Sequence, residues 1–261
     1  MKVAWLALVL LATVAACKSL PEAGVGVASI RFRGNHEFRS GQLEERIATQ
    51  ETPKFLGLFR ASWRRYQDFA PEVLEKDLER LRHFYERHGY YDTQIRAGRV
   101  VESGKFVEVE ILVQEGPPVL VHSIAVRGLE AKPTLLTVRV SDGLTLDKGD
   151  VFDQEKFDAS TKFAAEILAD HGYAYADVTP RAVVDLGPRT ADLAFQIDPG
   201  IECKFGPITF EGLDDLPEKL IRRTFGVESG EPYEADDLDL GRRALVELGV
   251  FASVDVTPDL S

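Results

Sequence analysis

The chain has 261 residues, 44% of them hydrophobic, which is enough to bury real cores in one to three domains and too apolar for a disordered chain. Its formal net charge of -12 argues against nucleic acid as the main partner, because phosphate binding relies on clustered Lys and Arg that release counterions.

Residues 1–16, MKVAWLALVLLATVAA, place one Lys before an apolar run that ends in small side chains, the layout of an export signal. That run is too short to span a bilayer comfortably, since a membrane helix takes roughly 20 residues. Val14-Ala15-Ala16-Cys17 resembles the lipobox of bacterial lipoproteins. The resemblance implies that the Cys17 thiol is acylated and becomes the N-terminus after cleavage. Lys18, where enteric inner-membrane lipoproteins tend to carry Asp, then points to the outer membrane. Several acyl chains, each buried methylene contributing about 0.8 kcal/mol, anchor a protein without a spanning helix. The alternative is ordinary cleavage at Ala16 with Cys17 unmodified. Loss of the leader, with Lys2, makes the charge one unit more negative, and Cys203 then has no internal disulfide partner, so stability rests on packed cores. Residues 17–26 read as a linker; Gly24-Val25-Gly26 lacks the third glycine of a dinucleotide loop and precedes rather than follows a strand.

From there the chain writes one passage three times. SIRFRGN (29–35), SIAVRGL (123–129) and PITFEGL (207–213) alternate apolar and polar residues before Gly34, Gly128 and Gly212, as half-buried strands entering turns do. Helical stretches follow. In the first copy they are expected at Ser40–Gln50 and Pro71–His88, with Pro71 in the first turn, where a missing N–H costs little. In the second, Asp153 is the expected N-cap of a helix that buries Phe157, Phe163, Ile167 and Leu168. In the third they are Leu216–Phe225 and Ala235–Leu248. LRHFYERHGYYDTQI (81–95), AEILADHGYAYADV (165–178) and ALVELGVFASVDV (244–256) then each end a helix at a glycine and open a strand. FVEVEILVQEG (106–116) and ADLAFQIDPG (191–200) supply a closing strand to the first two copies, whereas the third reaches Ser261 without one.

This strand, helix, helix, strand, strand order, with the repeated corner glycine and the EGPPV turn, resembles the POTRA (polypeptide-transport-associated) family from about Val27 onward. The stretch most like it is Phe55-Leu56-Gly57-Leu58-Phe59 followed by FAPEVLEKDLERLRHFYERHGYYD. The resemblance implies an α+β fold of tandem units, each a three-stranded mixed sheet packed under two helices with the last strand central. The expected units are 27–117, 118–200 and 201–261, the third incomplete. Such arrays stand in the periplasm before the barrels of the outer-membrane assembly proteins BamA and TamA, and three units resemble the TamA arrangement. A barrel following Ser261 is one expectation, and completion of the third unit by something else is the other.

The implied activity is non-catalytic: capture of extended segments of unfolded outer-membrane proteins, or of an assembly-complex subunit, at open sheet edges. The candidate edges are Tyr91, Asp92, Thr93, Gln94 and Ile95, and Tyr175, Ala176, Asp177, Val178 and Thr179; the plainer reading is sheet edges blunted by charge. FLGLFRASWRRY (55–66) sets Phe55, Leu56, Leu58, Phe59 and Trp63 beside Arg60, Arg64 and Arg65, a pattern that suits an anionic membrane surface or a partner groove, or equally the first unit's core with an arginine rim. No cofactor or metal is expected. His36, His83, His88, His122 and His171 form no close ligand pair, since His83 and His88 sit five apart and off one helical face. Asp236, Asp237 and Asp239 lack the alternation and distal Glu of a calcium loop and suit a helix N-terminus. A structural adaptor lipoprotein that scaffolds another envelope complex is the alternative function.

Overall fold

The computed structural model describes residues 25–52, 69–213 and 216–259. They divide into two compact units, one holding the residues up to Phe84 with Thr93–Glu115, the other Tyr85–Asp92 with everything from Gly116 onward.

The first unit carries β1 (Gly26–Arg33), α1 (Ser40–Glu44), most of α2 (Pro71–Arg87), β2 (Gln94–Ser103) and β3 (Phe106–Gln114). Strand order is β1-β3-β2, with β3 parallel to β1 and antiparallel to β2. The alternation of β3 explains its central place: Val107, Val109, Ile111 and Val113 are buried on one face, while Glu108 and Glu110 pair with Arg31 and Arg33 of β1 on the other. Buried Ile30, Phe32, Leu43, Leu74 and Leu81 complete this core. Gly34 leaves β1 at φ +84°, where a Cβ would stand 2.2 Å from the Val113 carbonyl oxygen, so only glycine fits that turn. α1 is shorter than the expected Ser40–Gln50. Its continuation is diverted by the buried Asp77, whose carboxylate accepts the backbone N–H groups of Ala48 and Thr49, both at 2.8 Å.

The second unit holds β4 (Leu120–Arg127), α3 (Thr134–Asp142), α4 (Gln154–Ala169), β5 (Asp177–Asp185), β6 (Thr190–Asp198), α5 (Glu218–Phe225) and α6 (Ala235–Glu247). Its sheet repeats the plan as β4-β6-β5, β6 parallel to β4 and antiparallel to β5. Asp153 caps α4 as expected, accepting from Lys156 N at 3.0 Å. Phe157 and Leu168 are buried, and Phe163 and Ile167 half-buried. Asp236 and Asp237 occupy the first turn of α6, where the helix dipole favours negative charge.

The third copy departs from its expected strands. Neither 207–213 nor 251–258 belongs to a sheet, although Ile208, Phe210, Phe251, Val254 and Val256 all pack on the cluster of Phe205, Ile221, Phe225, Val227, Tyr233 and Leu245. The physical reason is pairing. In the two complete sheets the first and second strands bond to the central strand and not to each other, and among the described residues no central strand lies beside these segments.

Candidate functional site

A three-stranded sheet has two edges, and in this chain the beginning of one of them is covered by the chain's own backbone. Phe69 N donates to Val25 O at 2.7 Å and Thr52 N to Val27 O at 2.8 Å, which covers the outer side of β1. β4 is sealed in the same way: Phe152 N donates to Val119 O at 2.9 Å, Val121 N to Asp150 O at 2.8 Å and Gly149 N to Val121 O at 2.8 Å. The third copy keeps the device, with Tyr233 N donating to Cys203 O at 3.1 Å and Phe205 N to Glu231 O at 2.9 Å. Phe69, Phe152 and Tyr233 each stand two residues before a helix that begins at Pro71, Gln154 and Ala235. Phe152 and Tyr233 are buried in their cores and Phe69 is half-buried, and the backbone of each segment bonds to the strand.

The opposite edges, β2 and β5, pair on one side only among the described residues. β2 is exposed from Arg96 to Ser103 and presents Val100 and Val101 to solvent. A register shift between Ala97 and Val100 breaks it, and Arg96 and Arg99 charge its first half. β5 runs in continuous register; Pro180 removes one donor, and Val183 is exposed. Beyond the bulge and the proline the regular stretches are Val100–Ser103 and Arg181–Asp185.

These edges lie further along the chain than the sequence suggests. Tyr91 and Asp92 form a turn, and Thr93 is buried with its hydroxyl donated to Glu115 O at 2.8 Å, so β2 opens only at Gln94 with Ile95 half-buried. Burial pushes the Tyr91 phenol above its ordinary value, with the neighbouring Glu86 adding to the shift. Tyr175 and Ala176 likewise belong to a turn, Ala176 N donating to Tyr173 O at 3.1 Å, and β5 opens at Asp177, followed by Val178 and Thr179. The corner glycine sets the delay: Gly89 and Gly172 have φ of +87° and +92°, and the chain needs a further turn before it is extended. Cys17 and the patch comprising Phe55, Leu56, Leu58, Phe59, Arg60, Trp63, Arg64 and Arg65 lie outside the described residues.

Where the second copy meets the third inside the second unit, Asp170 at the end of α4 accepts the backbone N–H of Asp236 at 3.0 Å, capping α6. Burial holds the Asp170 carboxyl above its usual range; that hydrogen bond opposes the shift, and the Asp236 charge reinforces it. The main-chain bond from Cys203 N to Gly172 O, 2.7 Å, runs through the same joint.

Two sheets built on one plan, and a third copy that keeps the same order of segments, agree with the comparison to known families. A family model described as POTRA, surface antigen variable number repeat, matches residues 25–116, 120–200 and 203–261. The chain belongs to the POTRA family. It is similar to the outer membrane protein assembly factor BamA of Buchnera aphidicola, 22% identical over 240 residues that make up 91% of this chain and 37% of that protein. The same factor from Neisseria meningitidis serogroup B is 21% identical over 87% of this chain and 28% of its own length. The chain thus spans about a third of the curated relatives it matches. Among solved structures, POTRA domains 3–5 of Haemophilus influenzae BamA share the fold, with a TM-score of 0.54, 24% identity and 91% coverage of each chain.

The sealing segments escaped the sequence reading. Their signal is present in Phe69, Phe152 and Tyr233, an aromatic repeated two residues before a helix, but it shows only once the three copies are aligned on their second helices.

Proposed function

We propose that this POTRA array is a non-catalytic protein-binding arm that takes part in outer-membrane protein assembly, holding extended client or partner segments by adding them as strands to β2 and β5. The observation that carries this reading is the asymmetry of the edges: the first strand of each sheet is covered at its beginning by its own chain, and among the described residues the second strand, β2 or β5, pairs on one side only. Main-chain pairing depends little on side-chain identity, which suits an arm that handles many clients. In this reading the chain works in the periplasm at the outer membrane, lipid-anchored through Cys17, with units at 27–117, 118–200 and 201–261. The 55–66 patch contacts an anionic membrane surface or a partner groove.

The test places a photo-crosslinking amino acid at Val101 and at Val183 in the full chain and irradiates cells while barrel proteins are being made. Several nascent outer-membrane proteins joined at both positions are the expected result. One folded envelope protein joined at both would replace client handling by the adaptor function, and no adduct at either would remove the edge reading.

A further inference from the structure

The second unit contains two helix-ending corners that meet the start of a later helix, and they differ in charge. At the first, Arg87 stands two residues before Gly89 and lies 3.6 Å from Glu155, the second residue of α4. His88 Nε2 lies 3.8 Å from the Asp153 carboxylate at the cap of that helix, and Val119 N donates to Gly89 O at 2.8 Å. Tyr85–Asp92 and all of these partners belong to the second unit. A cation here meets an acid.

The second corner keeps the backbone bond, from Cys203 N to Gly172 O, but reverses the charge. Asp170 stands two residues before Gly172, in the place of Arg87, and Asp236 is the second residue of α6, in the place of Glu155. Because the Asp170 carboxylate also accepts Asp236 N, two like charges are held together at one helix start. The surroundings are mostly acidic. Glu166, one turn back on α4, adds to the repulsion and His171 opposes it. His171 is itself occupied, with Nδ1–H donated to Ile167 O at 2.8 Å and Nε2 accepting from Arg139 of α3 at 3.3 Å. Glu202, Tyr233 and Glu234 border the same cleft, of about 510 Å³, which separates α3 and the end of α4 from the third copy. The Tyr233 phenol is pushed up by burial and then by the Asp170 charge.

We propose that this joint between the second and third copies is a pH-sensitive hinge, which opens more readily with Asp170 ionised and closes with Asp170 protonated. Opening returns the Asp170 carboxylate to water and parts it from Asp236, both of which favour the ionised form, and it gives up the bond from Asp236 N. Burial and repulsion outweigh that bond, since together they hold the carboxyl above its ordinary range. A carboxyl raised in the closed state contributes to closure at low pH, and the contribution is lost as pH rises through the closed-state value. Acid therefore tightens the joint, in the window from the ordinary carboxylate value upward. The hinge is independent of strand addition at β2 and β5, so crosslinking at Val101 and Val183 decides neither its presence nor its absence.

Amide exchange of the full chain at pH 4.0 and 7.5, corrected for intrinsic rates, tests it. Cys203 N–H, bonded across the joint, reports opening, and buried Leu245 within α6 reports unfolding of the third copy itself. Protection of Cys203 relative to Leu245 should be about twofold higher at pH 4.0, a modest factor because Asp170 is partly open to solvent. Asp170→Asn should hold the acid value at both pH values, and Asp236→Asn should shrink the response. No pH response at Cys203, or one matched at Leu245, would overturn the hinge. A gain in Asp170→Asn that is equal at both pH values would assign the effect to packing and overturn it too. A response that survives Asp170→Asn and disappears in His171→Gln would move the switch to the imidazole, and would equally overturn the proposal.

Discussion

Replacing Asp77 by Ala should undo the seal on β1. This buried carboxylate accepts Ala48 N at 2.8 Å, Thr49 N at 2.8 Å and the Thr49 hydroxyl at 2.5 Å, and pairs with Arg80. In Asp77→Ala, Ala48 is exposed and regains water, as does Arg80, whereas the buried Thr49 keeps an N–H and a hydroxyl without acceptors. At about 1–2 kcal/mol for each stranded group the first unit should lose about 3 kcal/mol. Asp77→Asn retains one acceptor oxygen and should lose about half as much. The effect reaches function because Thr52, three residues beyond Thr49, donates to Val27 and covers the β1 edge. Urea unfolding of the full chain by circular dichroism gives the stability, and amide exchange reports Thr52 directly. A loss below about 0.5 kcal/mol, or Thr52 exchanging as slowly as in the parent chain, would refute the claim that this carboxylate fastens the seal.

Gly128→Ala should cost about 3 kcal/mol by calorimetry, because φ of +97° is combined with a Cβ 1.8 Å from Ile197 O. Gly212→Ala, at φ +71° with nothing within 4 Å of the added Cβ, should cost only about 1 kcal/mol, and near-equal losses would contradict the assignment of the Gly128 cost to the Ile197 carbonyl. Asp170→Asn keeps an oxygen for Asp236 N but removes a charge that burial and Asp236 disfavour. A carboxyl raised in the folded state contributes stability that is lost as pH rises through the folded value, so the variant should be about 0.5 kcal/mol more stable at neutral pH, after allowance for solvent screening, and no different near pH 3. Melting temperatures at the two pH values decide it, and an equal gain at both would assign the effect to packing.

The repeat and the central strands were legible because strict alternation leaves little freedom. FVEVEILVQ has one apolar face, and a shift of one residue would turn Val107, Val109, Ile111 and Val113 to solvent. The ends of elements were less legible because tertiary groups set them. Asp77 ends α1 from across the first unit, and no local pattern at 45–50 announces it. The late starts of β2 and β5 follow from a left-handed glycine and an extra turn, a conformation that the aromatic, strand-like residues Tyr91 and Tyr175 disguise. PITFEGL reads as a strand and packs as one, with Ile208 and Phe210 inward, but a strand's other half is its hydrogen-bonded neighbour, which no single segment encodes.

The sealed edge gives the array a direction. A short sheet with two open edges would accept extended segments from either side and would also pair with its own copies, the usual hazard of uncovered strands. Covering the beginnings of β1 and β4, and the strand-like 203–205, with the chain's own backbone removes part of that surface. The remaining edges are not equally receptive. β2 loses its first half to a bulge with Arg96 and Arg99, and β5 loses a donor at Pro180, so each offers only four or five regular residues, Val100–Ser103 and Arg181–Asp185. Under the proposed function, segments so short bind weakly one at a time, and a client that engages more than one is held by linking weak sites, so that release needs the loss of only one. Blocking Val101 alone should therefore weaken client retention far more than twofold, which pulse-chase recovery of crosslinked clients at Val183 would measure; an unchanged yield would mean that each edge works by itself.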